Sequence, residues 1–172
     1  MAPEHSLWLI PQKNVYVKFG TLIEELAERH GSEPFEPHVT LLGDLPGGRK
    51  SIMAKAYELG SKLHNFRVRL NTIGQSSDSM MYLYVNAEKS EALAKANKLA
   101  QRLYFGKDDK PYTPHMSLMY APAHEANKAE IIEEIGKSFN EVFDADSLHV
   151  VHCGRDVPKS QWEAIEEVHF KR

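Results

Sequence analysis

Pro37-His38-Val39-Thr40-Leu41-Leu42 and Pro114-His115-Met116-Ser117-Leu118-Met119 carry one pattern in two places. Each opens on a proline, which pushes the residue before it out of the helical region, and continues as an aliphatic run suited to a strand. Along a strand, residues i and i+2 point to the same side. His38 with Thr40, and His115 with Ser117, are therefore expected to project together, while Val39 and Met116 point away. Each segment would present a titratable imidazole beside a hydroxyl donor. The tripeptide alone means little, because nine histidines in 172 residues should produce about one His-x-Ser/Thr by chance. His30-Gly31-Ser32 is such a chance match, at the end of an expected helix.

Context separates the other two. Upstream of His38 the sequence predicts a strand at His5–Ile10, ended by Pro11, and a helix over about 15–30 with Leu22, Ile23, Leu26, Ala27 and His30 on one face. Gly31 is placed to stop it. Phe35–Leu42 is extended. A helix over about 50–64 follows, with Ile52, Ala56, Leu59 and Leu63 inward, and then a strand, Phe66–Leu70. The order then repeats: strand Met80–Val85, helix about 89–105 (Leu93, Ala96, Ala100, Leu103), extended Thr113–Tyr120, helix about 125–139 (Ile131, Ile132, Ile135, Phe139) and strand Leu148–Cys153. Spacing supports a duplication, since Leu7 precedes His38 by 31 residues and Leu83 precedes His115 by 32. Halves of about 1–75 and 76–154 each run strand–helix–strand–helix–strand, with a Pro-His at the same place. Gln75–Ser79 is the natural seam, and Trp162–Phe170 is a candidate last strand. The expectation is a single domain over 1–172 made of two lobes that share a sheet or a cleft. A doubly wound parallel fold also alternates strand and helix, but no Gly-rich phosphate loop follows any strand.

Bulk composition narrows the function. The chain is 42% hydrophobic and 26% charged, as in a globular protein. A net charge of −3 argues against sequence-independent binding to long nucleic acid, which needs a broad basic surface. It leaves room for a short anionic substrate in a local pocket. Cys153 is the only cysteine, so no internal disulfide is expected. The N-terminus has no basic segment followed by a long apolar run, and no stretch approaches 18 apolar residues. A cytoplasmic protein without membrane contact is expected, with a monomer as the default.

With both motifs, the repeat and the chain length in hand, the sequence resembles the 2H phosphoesterase superfamily. Ser6-Leu7-Trp8-Leu9-Ile10-Pro11 and the stretch through Tyr120 resemble its cyclic phosphodiesterase branch. The resemblance implies an α+β fold, bilobal and pseudo-twofold, with antiparallel sheets lining a central cleft and helices outside. It implies a metal-independent and cofactor-free reaction on a cyclic phosphate: a nucleoside 2′,3′-cyclic phosphate opened to the 2′-phosphate, or ADP-ribose 1″,2″-cyclic phosphate. His38 and His115 would be catalytic, Thr40 and Ser117 would bind the phosphate, and Trp8 and Tyr120 would be candidate substrate contacts. Tyr120 is out of register with Ser117 in a flat strand, so its presence in the site requires a bend. Trp8 fits core packing at least as well as base stacking.

Hydrolysis of a cyclic phosphodiester needs a water deprotonated on one side of phosphorus and a leaving alkoxide protonated on the other. Two imidazoles with ordinary pKa near 6.5 can supply both. Alternatives remain: RNA end processing of the 2′-5′ RNA ligase-like kind, acting on an RNA 2′,3′-cyclic phosphate end, or a non-catalytic module that binds a nucleotide or RNA end. His149, His152 and Cys153 suggest a metal site, but strand alternation sends them to opposite faces. Arg67 and Arg69 are expected on a solvated face, and Glu133-Glu134 and Glu163, Glu166 and Glu167 on the surface.

Overall fold

The computed structural model describes residues 4–122 and 124–172. Twelve elements follow in order: β1 His5–Leu9, α1 Lys13–His30, β2 Val39–Leu42, α2 Arg49–Lys62, β3 Phe66–Gln75, β4 Leu83–Ala87, α3 Glu91–Phe105, β5 His115–Met119, α4 Lys128–Ile135, β6 Ser138–Ala145, β7 Ser147–His152 and β8 Glu163–His169. Short 3₁₀ turns occupy Ser79–Met81 and Lys159–Gln161.

The eight strands pair antiparallel in the order β6-β3-β4-β5-β2-β1-β7-β8. From the middle outward this reads β5-β4-β3-β6 on one side and β2-β1-β7-β8 on the other. The doubling seen in the sequence is therefore a pseudo-twofold of the sheet. Each half sends its last strand across: β3 pairs with β4, and β7 pairs with β1. The stretch Gln75–Ser79 falls at the end of β3 and in the β3–β4 hairpin connection, residues 76–82. The two sides join narrowly, with Val39↔Met116 the position paired between β2 and β5.

Strand alternation sorts the residues by face. Leu7, Leu9, Val39, Leu41, Val85, Met116 and Leu118 are buried in the main core beneath the helices. Helix α1 packs on β5 and α3 on β2, so each helix covers a strand of the opposite side. Val15, Phe19, Ile23 and Leu26 form the buried stripe of α1, and Gly31 ends that helix in the left-handed region at φ 69°. On the other face a smaller cluster joins Trp8, Val151 and Cys153 with Ile10 and Trp162. That face lines the cleft.

The helix expected to run through Phe139 is shorter than its apolar spacing suggests. It stops at Ile135, Gly136 follows at φ 98°, and Ser138–Ala145 is strand β6 on the sheet edge. Phe139 fits both periods, four residues after Ile135 and at even spacing from Phe143 and Ala145. The glycine decides for the strand. Strand β3 also runs on to Gln75, and the strand expected from Met80 begins at Leu83, after a turn capped by the Asp78 side chain. Among the described residues no helix is long and apolar enough to cross a membrane.

Candidate active site

His38 lies just ahead of β2, and His115 opens β5. The Val39↔Met116 pair sets their relation. Stepping one residue either way along antiparallel strands puts His38 level with Ser117 and Thr40 level with His115. All four side chains leave the sheet opposite to the buried Val39 and Met116. The two imidazoles are thus diagonal neighbours, a relation of about 7–8 Å between strands. A phosphoryl group hydrogen-bonded at both ends can span that gap.

Each ring is held in the same way. His38 Nδ1 lies 2.7 Å from the Glu36 carbonyl oxygen, and His115 Nδ1 lies 2.9 Å from that of Thr113. A carbonyl only accepts, so Nδ1 is the donor in both rings, and Nε2 is left as the titrating atom. Pro37 and Pro114 sit between each imidazole and its carbonyl and keep the backbone extended there. The surroundings differ. His38 is 4% exposed, and burial pulls its pKa down to about 3, against the Glu36 carbonyl and aided by charge on His115. His115 is half-buried, and burial lowers its pKa too, opposed by the Thr113 carbonyl.

Trp8 pairs with Thr40 across the β1–β2 ladder. Its ring stacks on His38 with centroids 3.5 Å apart and planes within 5°. Only 3% of Trp8 is exposed, and Trp162 stands edge-on to it at 5.7 Å, so its ring is enclosed. Tyr120 follows the last residue of β5, which frees it from strand alternation. It is buried against Phe35 at 4.5 Å and Trp162 at 5.4 Å. Burial raises the Tyr120 hydroxyl pKa strongly, and a hydrogen bond with Ser117 acts in the opposite sense. Trp8, His38, Thr40, Tyr120, Arg155 and Trp162 all line one cavity.

Several contributors, Arg155 and Trp162 of that cavity among them, escaped the sequence reading. Tyr84 pairs with Ser117 as Trp8 pairs with Thr40, and its ring lies 5.1 Å from His115, tilted by 59°. The repeat frame held the signal, because Trp8 follows Leu7 and Tyr84 follows Leu83. Behind His115, Asn97 and Gln101 on α3 form a buried polar brace. Asn97 Nδ2 donates to the Leu41 carbonyl at 2.8 Å, and Gln101 Nε2 donates to Asn97 Oδ1 at 2.7 Å and to the Lys110 carbonyl at 3.0 Å. The Lys110 N–H donates back to Gln101 Oε1 at 2.9 Å, and the Tyr112 hydroxyl donates to the Thr40 carbonyl at 3.0 Å. The brace ties β2 to the segment leading into β5, where the sheet itself supplies little pairing. Neither residue advertises this in sequence, since Asn and Gln on a helix are ordinarily exposed.

Other candidates fall elsewhere. Arg67 and Arg69 sit on β3, two strands from β5, and pair at 3.5 Å with Asp144 and Glu88 respectively. His149 lies 3.8 Å from Glu167, and the His152 ring meets His5 at 5.5 Å. No group of three or more His, Cys, Asp or Glu among the described residues is arranged to hold a metal ion.

A family model described as cyclic phosphodiesterase-like protein matches residues 1–170. No curated protein sequence matches the chain significantly. Solved structures share its fold. The protein TT0787 of Thermus thermophilus is 17% identical over 97% of both chains, with a TM-score of 0.68. A structure described as a phosphoesterase is 12% identical over 100% of both, at 0.67. Escherichia coli LigT, crystallised with 3′-AMP, is 13% identical over 100% of both, at 0.64.

Proposed function

The chain belongs to the cyclic phosphodiesterase-like protein family of the 2H phosphoesterase superfamily, and on that premise we propose that it hydrolyses a five-membered cyclic phosphodiester with His38 and His115 as base and acid. The substrate is a nucleoside 2′,3′-cyclic phosphate, opened to the 2′-phosphate, or the 1″,2″-cyclic phosphate of ADP-ribose. The observation that carries this is the pair of equivalently anchored imidazoles, placed diagonally across the β2–β5 joint with a hydroxyl level with each.

His38, buried and neutral, accepts a proton at Nε2 from the attacking water. As the water oxygen bonds to phosphorus, the bond from phosphorus to the 3′ oxygen breaks. His115 Nε2 delivers its proton to that oxygen. His115 is the more open ring, and a bound phosphate anion beside it favours its protonated form. Thr40 and Ser117 donate to the non-bridging oxygens, where negative charge is held. Strain in the five-membered ring lowers the barrier these residues must overcome. LigT, which has this fold, has been crystallised with 3′-AMP and with NADP+, which supports a ligand of nucleotide size.

The test is turnover of adenosine 2′,3′-cyclic phosphate by His38→Ala and His115→Ala, each with its fold checked by circular dichroism. Both are expected to lose all measurable hydrolysis, and the parent protein to keep its rate in EDTA. Normal turnover in either folded variant refutes the reading.

A further inference from the structure

A pseudo-twofold cleft poses a problem of direction. Imidazole, hydroxyl and aromatic ring recur on both sides, so a cyclic phosphate can in principle enter either way round. The two aromatic positions break the tie. Trp8 is enclosed, with one face covered by the His38 ring and Trp162 against its edge. Although it lines the cavity at His38, only 3% of it is exposed, which leaves little of its face for a substrate base. Tyr84, its counterpart, is only half-buried.

Its neighbour across the β3–β4 ladder is Gly74. A Cβ built on Gly74 would lie 2.3 Å from Tyr84 Cε2, 2.5 Å from Cζ and 2.8 Å from the hydroxyl oxygen. The tip of the phenol therefore lies over the glycine backbone, on the same side of the sheet as Ser117, and the ring sits 5.1 Å from that of His115. Any residue with a side chain at position 74 would lift it. Strand β4 lies one strand spacing, about 4.8 Å, beyond β5. In a nucleoside 2′,3′-cyclic phosphate the base is one sugar ring away from phosphorus, a comparable reach.

We infer that Tyr84, seated on Gly74, is the platform on which the substrate's nucleobase stacks, and that it fixes the substrate with its base toward β4. The inference rests on the cyclic phosphate chemistry proposed above and narrows its substrates to those bearing a flat heteroaromatic base. Stacking of a base on an aromatic side chain corresponds to roughly 5- to 150-fold in affinity, with little preference among bases.

The test compares kcat/KM for adenosine 2′,3′-cyclic phosphate with that for glycerol 1,2-cyclic phosphate, which has the same strained ring and no base. In Tyr84→Leu the ratio is expected to fall roughly 10-fold, mainly through KM for the nucleotide. Tyr84→Trp is expected to hold or raise it. An equal loss on both substrates makes Tyr84 a prop for His115 and overturns the platform, as does an unchanged ratio. If the parent protein hydrolyses neither compound, the proposed reaction falls, and this inference with it.

Discussion

His38 should make the fold acid-sensitive by a definite amount. Its folded pKa is held down to about 3 by burial, whereas in the unfolded chain it returns to about 6.5. Between these values the unfolded chain binds almost one proton more than the folded one, so stability falls as the pH falls. The contribution is fully present above about pH 6.5 and is lost progressively toward pH 3. One proton corresponds to about 1.4 kcal/mol per pH unit, or about 2 kcal/mol between pH 6.5 and 4.5, where the first half-unit counts only partly. His115, His5 and His149 are also lowered by burial and add in the same direction. The experiment is therefore a difference. Urea unfolding at both pH values, followed by circular dichroism, is compared for the parent and for His38→Gln, which keeps a donor for the Glu36 carbonyl. The variant is expected to lose about 2 kcal/mol less than the parent over the two units, whatever its absolute stability. Parallel losses would mean that folded His38 takes up its proton near pH 6.5, and the reasoning that burial keeps this ring neutral well into the acid range would fail.

Gln101→Leu should destabilise the fold by about 1–3 kcal/mol, because Asn97 and both backbone groups of Lys110 lose a buried partner. It should lower kcat more than it raises KM, since the loosened segment carries the Thr113 carbonyl that anchors His115; unchanged urea melts would refute the brace. Gly74→Val should cost about 1–3 kcal/mol through collision with the Tyr84 ring. In the double variant with Tyr84→Ala most of that cost should disappear from the thermal melt, and strict additivity would show that the ring does not lie across position 74.

Much of this protein is legible in its sequence because the relevant signals are local. Alternation along Pro-His-x-Thr/Ser places imidazole and hydroxyl on one face whatever the strand pairs with. The offset from Leu7 to His38 and from Leu83 to His115 reports the duplication without coordinates. The same frame put Tyr84 within reach, since it occupies the place of Trp8. Where two periods coincide, as at Phe139, local evidence divides, and a single glycine at 136 settled the matter.

Pairing between distant strands has no such signature. No local pattern tells β7 to join β1 or β6 to join β3, because a change of partner leaves each strand's own alternation unchanged. Burial is equally non-local. His38 and His115 sit in hexapeptides of one pattern, and only the packing of Trp8, Phe35 and Trp162 around the first makes it the drier ring. The residue types capable of the chemistry are written in the chain; which imidazole stays neutral, and which aromatic face stays open, depends on neighbours that tertiary packing alone brings together.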